Sequence, residues 1–376
     1  MSRKLASVQK VKAVRPIEGA DKIELIQILN WDCVAKKSEF HEGDMVVYFE
    51  IDSLLPDIPM LEWLKGSSWS QKLNRYKIST HKFRDQISQG LIISLDQLKQ
   101  FYDEVVEKNS GIVKTLVYPG CIETPREGDD LTEVLDIEKY EPVISCGDLG
   151  EIINHEWYVP KTDEERVQVC AEDVLPFYMS HDDWYASIKL DGCSCTAGLF
   201  DDAFLIGGRN QFFKGENRYT KTVNSYCNLE AQLKAYQQAN GKYLVFQGEL
   251  CGPGIQGNKL GLEKNRWFIF NVLESDTGKN GSYKKLDIHG MKLMCNYFGL
   301  ETVPIIPERE KFDFKKTDDV NEMTKDLLNY VDKFKYRDYF EDASPKQQAE
   351  GVVFRMNDMT YSFKVVSNKY LLKGGE

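Results

Sequence analysis

Lys189 closes an apolar stretch, Trp184-Tyr185-Ala186-Ser187-Ile188, and is followed by Leu190-Asp191-Gly192. A buried strand that ends on a lysine and then turns on Asp-Gly holds an amine in a fixed place. At its usual pKa of about 10.4 that amine is protonated and inert, so it becomes a nucleophile only where burial, nearby cations or a metal strip its proton. Read alone, K-x-D-G more often marks a surface lysine before a strand-ending turn. Four further segments change that reading: Gly208-Arg209-Asn210, Gly248-Glu249-Leu250, Glu350-Gly351-Val352-Val353-Phe354-Arg355 and Ser362-Phe363-Lys364-Val365-Val366. An amine that attacks phosphorus needs cations for the developing charge and acids for a divalent metal, because little covalent work is left to the protein. Arg209 and Lys364 supply the cations, and Asp191, Glu249 and Glu350 the acids. The alternatives are a turn cation after Gly207-Gly208 for Arg209, and for each glutamate a solvent-facing strand end or a structural ion pair.

These residues need strands to hold them. From Trp184 onward, strand patterns alternate with helical ones, an α+β arrangement. WYASIKLDG, CTAGLF, AFLIGGRN, YLVFQGELC and RWFIFNVLES read as strands, with a polar turn at Asp201-Asp202. TVNSYCNLEAQLKAYQQA, KLDIHGMKLMCNYFGL and NEMTKDLLNYVDKF read as helices, and EGVVFRM with TYSFKVVSNKYLL as a closing hairpin. Residues 8 to 55 read instead as short strands broken by turn signals at Glu18-Gly19-Ala20-Asp21 and Glu42-Gly43-Asp44, the spacing of a small antiparallel barrel. The boundaries expected are a barrel over 1–105, a connector over 106–155 and a second domain over 156–376.

Composition narrows the class. The chain has 376 residues, 42% hydrophobic and 28% charged, with a net charge of -11. That is the balance of folded, soluble, two-domain chains, and the negative charge excludes a protein that coats nucleic acid by bulk electrostatics. No signal-like or membrane-spanning stretch is present, so an intracellular protein, cytoplasmic or nuclear and not secreted, is expected. The nine cysteines have neither zinc nor disulfide spacing. With no GxxxxGK[ST] loop, no complete GxGxxG and no G-x-S-x-G elbow, P-loop, dinucleotide and hydrolase readings fall away.

In order and chemistry, the series from Lys189 to Lys364 resembles the covalent nucleotidyltransferase superfamily of polynucleotide ligases and capping enzymes, over Trp184 to Lys373. At the other end, VRPIEGADKIELIQILNW, FHEGDMVVYFEIDSLLP and Ser88-Gln89-Gly90-Leu91 resemble the leading module of one RNA ligase clade. GELCGPGIQGN, 248 to 258, is typical of RNA ligases too. The resemblance implies an ATP-dependent RNA ligase with an N-terminal antiparallel OB-like β-barrel, followed by an adenylyltransferase domain of antiparallel sheets and helices. It implies that Lys189 carries AMP, that Arg209 touches ribose or phosphate, and that Lys364 neutralises the α-phosphate. It places Glu249 and Glu350, with Asp191, around Mg2+ or Mn2+, Glu249 also lining the ATP site. Phe268 takes the adenine-stacking position, with a core aromatic as the alternative. Arg166, in KTDEERVQ at 161 to 168, reaches the donor phosphate or metal waters, or else belongs to an exposed helix cluster. The last motif commonly carries two lysines separated by one residue; here Val366 holds the second place, so either Lys369 or another cation substitutes or this branch works with one lysine. The implied substrates are ATP and RNA with 3'-hydroxyl and 5'-phosphate ends. A DNA or mixed-duplex nick ligase and a non-catalytic RNA-binding protein are the other readings. In the barrel, Lys72, Arg75, Tyr76, Lys77, Lys82, Phe83 and Arg84 offer the basic and aromatic groups that single strands bind.

Overall fold

The computed structural model describes residues 3–111, 118–140, 151–153, 159–160, 162, 164–209, 211–226 and 228–373. The chain divides near residue 142 into two compact units. Among the described residues no helix is long and apolar enough to cross a membrane, and all seven described cysteines are free thiols.

In the first unit the long strand Ala6–Pro16 pairs through Ala6 to Lys10 with Met45–Phe49 and through Val11 to Pro16 with Ile23–Ile28. A register shift between Val11 and Ala13 separates the two ladders, so one strand serves both sides of a bend. With Trp31–Lys36 and Leu91–Ser94 at its edges, the result is a curled, five-stranded antiparallel half-barrel. Gly90 is required here: at φ +112 a side chain is strained, and a Cβ would meet the Tyr48 ring at 2.3 Å. The expected connector, from residue 106, begins inside the helix Asp96–Ser110, and residues 118–140 also belong to this unit. Val8 N donates to Asp129 O at 3.0 Å, Leu131 N to Ala6 O at 2.9 Å, and Glu138 pairs with Leu54. The remainder of the connector and the expected boundary at 156 fall largely outside the described residues. Of the aromatic and basic groups expected to face RNA, Tyr76 is fully buried, Arg75 binds Asp136 and Glu138, and Lys77 lies 3.5 Å from the Tyr140 ring centre. Lys82, Phe83 and Arg84 are exposed on the hairpin Thr80–Phe83/Gln86–Gln89.

The second unit holds two sheets. The larger, antiparallel through its centre, runs in the order Glu151–Ile153, Phe212–Lys214, Ala203–Gly207, Cys193–Phe200, Tyr243–Cys251, Arg266–Ser275 and Lys284–Lys285. The smaller joins Trp184–Lys189, Gly351–Met356 and Ser362–Val366. Alternation explains the smaller sheet. Trp184, Ala186, Ile188, Val352, Phe354, Phe363 and Val365 enter a core with the helices Val167–Ser180 and Val320–Val331. Ser187, Lys189, Arg355, Ser362 and Lys364 take the opposite face. The larger sheet buries its own apolar face under the helices Leu229–Asn240 and Ile288–Phe298. The single amphipathic stretch expected from 222 to 239 is two helices, Arg218–Asn224 and Leu229–Asn240; the second begins after Asn228, a left-handed residue at φ 50.

Candidate active site

Lys189 is the last residue of a strand in one sheet and Cys193 the first of a strand in the other, so Leu190-Asp191-Gly192 carries the chain between sheets. Gly192 fits there because a Cβ would meet Leu250 O at 2.4 Å and Cys251 Sγ at 2.7 Å. Its N–H donates to Glu249 Oε1 at 3.1 Å, tying the turn to the neighbouring strand. Lys189 pairs with Gly351, the first residue of its strand, which brings Glu350 alongside. Lys189 Nζ and Glu350 Oε1 are 2.6 Å apart, and the glutamate side chain is only 9% exposed. Register also puts Lys364, opposite Val353 and so aligned with Ser187, on the Lys189 face of the small sheet.

The charges are strongly coupled. Burial pushes the Lys189 ammonium down, but the carboxylates of Glu350, Glu249 and Asp191 together outweigh it and hold its pKa above the ordinary lysine range. In the protein without ligands burial alone therefore does not free the amine, which is the ion-pair partner of Glu350, and its deprotonation is left to nearby cations or a metal. Burial also pushes the Glu249 carboxyl up, to about 8; Lys189 opposes this, and Glu350 and Asp191 add to it.

Asp191, expected among the metal acids, is otherwise engaged. Its Oδ2 accepts from the Tyr370 hydroxyl at 2.6 Å and forms an ion pair with Lys259 Nζ, which also donates to Tyr370 Oη at 3.0 Å. Lys259 thus brings a second lysine to the nucleophile motif, whereas Lys369 turns away and donates to Asp332 O at 3.3 Å. Among the described residues no three His, Cys, Asp or Glu side chains gather as a ready-made metal cluster.

Arg166 is 3% exposed and precedes the helix Val167–Ser180, so it is no exposed helix charge. Its segment is stitched to the lysine strand. Arg166 forms a parallel bridge with Lys364, and Lys364 N donates to Glu165 O at 2.7 Å. Glu164 accepts from Arg355 Nε at 3.0 Å and Nη2 at 2.9 Å, and from the Ser362 hydroxyl. Lys161 and Asp163 of that segment lie outside the described residues. Half-buried Arg209 follows the strand Ala203–Gly207. The register Thr196 to Gly207 sets it at the same end of the large sheet as Gly192 and Glu249; Asn210 is outside the described residues.

Phe268 pairs across strands with Glu249 but is 2% exposed, edge-on to Phe340 with ring centres 5.4 Å apart, and Arg266 lies 4.9 Å from its ring centre. The core alternative describes this ring in the ligand-free protein. Sequence reasoning missed Tyr336. Its buried hydroxyl donates to Lys189 O at 3.0 Å and accepts from Asp191 N at 2.9 Å and Glu350 N at 3.2 Å. One aromatic among nineteen tyrosines carried no signal. Lys259 had a faint one, directly after the GPGIQGN run.

An N-terminal OB-fold unit followed by a nucleotidyltransferase-like α+β unit, with a strand-end lysine against the buried Glu350 and the half-buried Glu249 nearby, defines the class. Residues 5–95 match a family described as an OB-fold domain, and residues 182–371, just over half of the chain, match the family described as RNA ligase. The chain belongs to the RNA ligase family. Among solved structures it is similar to Naegleria gruberi RNA ligase with PPi, at 28% identity and TM-score 0.77 over 100% of this chain and 99% of that one. A glutamate-to-alanine variant of that ligase with ATP and Mn matches at 27% identity and TM-score 0.77 over 100% of both chains. Another, with AMP and Mn, matches at 28% and 0.76 over 99% of both. No curated protein matches the chain by sequence.

Proposed function

We propose that this RNA ligase is ATP-dependent and joins a 3'-hydroxyl to a 5'-phosphate through an adenylate carried on Lys189. Nζ, once it has released to solvent the proton held against Glu350 in the ligand-free protein, attacks the α-phosphorus of ATP; the bond to the bridging oxygen breaks, pyrophosphate leaves, and the amine's second proton passes to solvent or to the departing pyrophosphate. A 5'-phosphate oxygen of RNA then attacks the same phosphorus and breaks the N–P bond, giving RNA-adenylate and free Lys189. The RNA 3'-hydroxyl finally attacks the 5'-phosphorus, AMP departs and the phosphodiester forms.

The observation that carries this reading is the 2.6 Å pair of Lys189 and Glu350 at the sheet junction, with Glu249 in the same charge cluster. The full-length similarity to a ligase solved with PPi, ATP and AMP supports the same chemistry. Glu249 and Glu350 offer hard oxygen donors, which suit Mg2+ or Mn2+, and a cation there would favour the ionised form of Glu249. When bound there, the ion supplies the positive charge that offsets both carboxylates and polarises a phosphate oxygen. In this reading Lys364 and Arg166 face the phosphates, Arg209 the nucleotide, and Asp191 positions the nucleophile turn. Phe268 would stack adenine only after Arg266 moved from its ring.

The test incubates the protein with α-labelled ATP and Mg2+ or Mn2+, then chases with 5'-phosphorylated RNA. Label that moves from protein to RNA and into a longer strand supports the reading. Protein that seals RNA without ever holding label sinks it.

A further inference from the structure

Resting on that reading, we propose that Tyr336 is a positioning residue for the attack of Lys189, its hydroxyl standing in for the β-ladder where the lysine strand leaves Gly351–Met356. The ladder between these strands ends at the pair Lys189–Gly351. One residue further, the chains diverge, because Leu190 enters the core while Asp191 and Gly192 cross to the large sheet. Lys189 O, Asp191 N and Glu350 N lie at the point where the two chains part, and Asp191 N, one step past the last pair on the bonded side, has no strand residue opposite it. Buried backbone groups need partners, and the Tyr336 hydroxyl meets all three at 2.9 to 3.2 Å. A phenol has one proton and two lone pairs, so one bond donated and two accepted saturate it. The side chain is fully buried, so water does not substitute.

Tyr336 is itself anchored to the segment that leads into Glu350. Its N–H donates to Gln347 O at 3.2 Å, Ala349 N donates to Phe334 O at 3.2 Å, and Lys335 bridges Gln348. The ring packs beside Phe340, with centres 6.4 Å apart. The hydroxyl therefore fixes the backbone of the nucleophile relative to the backbone of its glutamate partner. Only the Lys189 side chain has to swing from Glu350 to phosphorus, and small losses of such placement cost rate steeply.

The experiment compares wild type with Tyr336→Phe in single-turnover formation of the protein adenylate over a range of ATP concentrations. It also measures sealing of pre-adenylated RNA, which requires no attack by Lys189. The expected result is a fall of about 10- to 100-fold in the adenylylation rate constant, an ATP half-saturation within about twofold, and a much smaller loss in pre-adenylated sealing. Equal losses in both reactions would mean a merely structural tyrosine, and no loss would mean an idle one; either overturns the proposal. Should Tyr336→Phe not fold, amide exchange on the wild type decides: Asp191 and Glu350 N–H must be protected like the interior of the ladder, and rapid exchange at either overturns it. Wild type that takes no label counts against the proposed function itself and is seen separately.

Discussion

Replacing Glu249 with glutamine should remove a pH dependence of stability that its half-buried carboxylate imposes on the ligand-free protein. The folded-state pKa is pushed up to about 8 from 4.5. A carboxyl raised on folding contributes stability in its protonated form below its unfolded pKa, and that contribution is lost as pH rises through the folded value. At about 1.4 kcal/mol per pH unit, the stretch from pH 6 to 9 removes about 2.7 kcal/mol. In a unit of this size that corresponds to a fall of roughly 5–10 °C in Tm. Lys189, held above its ordinary range, keeps its proton across this window and adds no opposing slope. The assay is urea or thermal denaturation of wild type and Glu249→Gln at pH 6, 7, 8 and 9, without metal or nucleotide. The two stability curves should diverge, with wild type falling relative to the variant as pH rises. Mg2+ with ATP should flatten the wild-type slope, because a cation beside the carboxylate favours its ionised form. Parallel curves over pH 6 to 9 would refute the reasoning.

Other expectations follow from the same geometry. Lys364→Ala should slow adenylate formation by about 10- to 1,000-fold, the scale of one lost group that stabilises transition-state charge, measured in single-turnover labelling. Glu164→Ala should destabilise by about 3–5 kcal/mol in urea titration, because it strands the buried Arg355 guanidinium. Gly192→Ala places a methyl 2.4 Å from Leu250 O; unfolding should show a loss of about 1–3 kcal/mol and labelling a loss of adenylation.

The parts of the site legible in sequence were those whose chemistry sits on a strongly patterned strand. Lys189 ends five residues of apolar pattern, Glu249 lies within YLVFQGELC, and Lys364 within TYSFKVVSNKYLL; the first two strands form as read, while the third is a strand only over Ser362–Val366 and continues as the helix Asn368–Leu371, capped by Ser367. Phe268 shows the limit of that logic: an aromatic on a strand facing the other sheet reads the same whether its neighbour is a base or Phe340. Lys259 and Tyr370 meet Asp191 across 68 and 179 residues of sequence, and periodicity says nothing about such meetings. The same holds for Tyr336, whose value lies in one hydroxyl at the end of a ladder. The helix Val167–Ser180 was hidden by Pro176 inside it and by the charged run before it. The first unit's extension through residue 140 depends on backbone bonds to the strand Ala6–Pro16, on the pairing of Glu138–Lys139 with Ser53–Leu54 and on the ion pairs of Arg75, none of which leaves a pattern in the sequence.

Whether Lys189 carries the nucleotide is decided by locating the adduct. Protein incubated with ATP and Mg2+ would be digested under conditions that preserve phosphoramidates, and the fragments analysed by mass spectrometry. AMP should be found on the peptide that contains Lys189 and not on Lys189→Ala protein. AMP on Lys259, on Lys364 or on the variant would contradict that role.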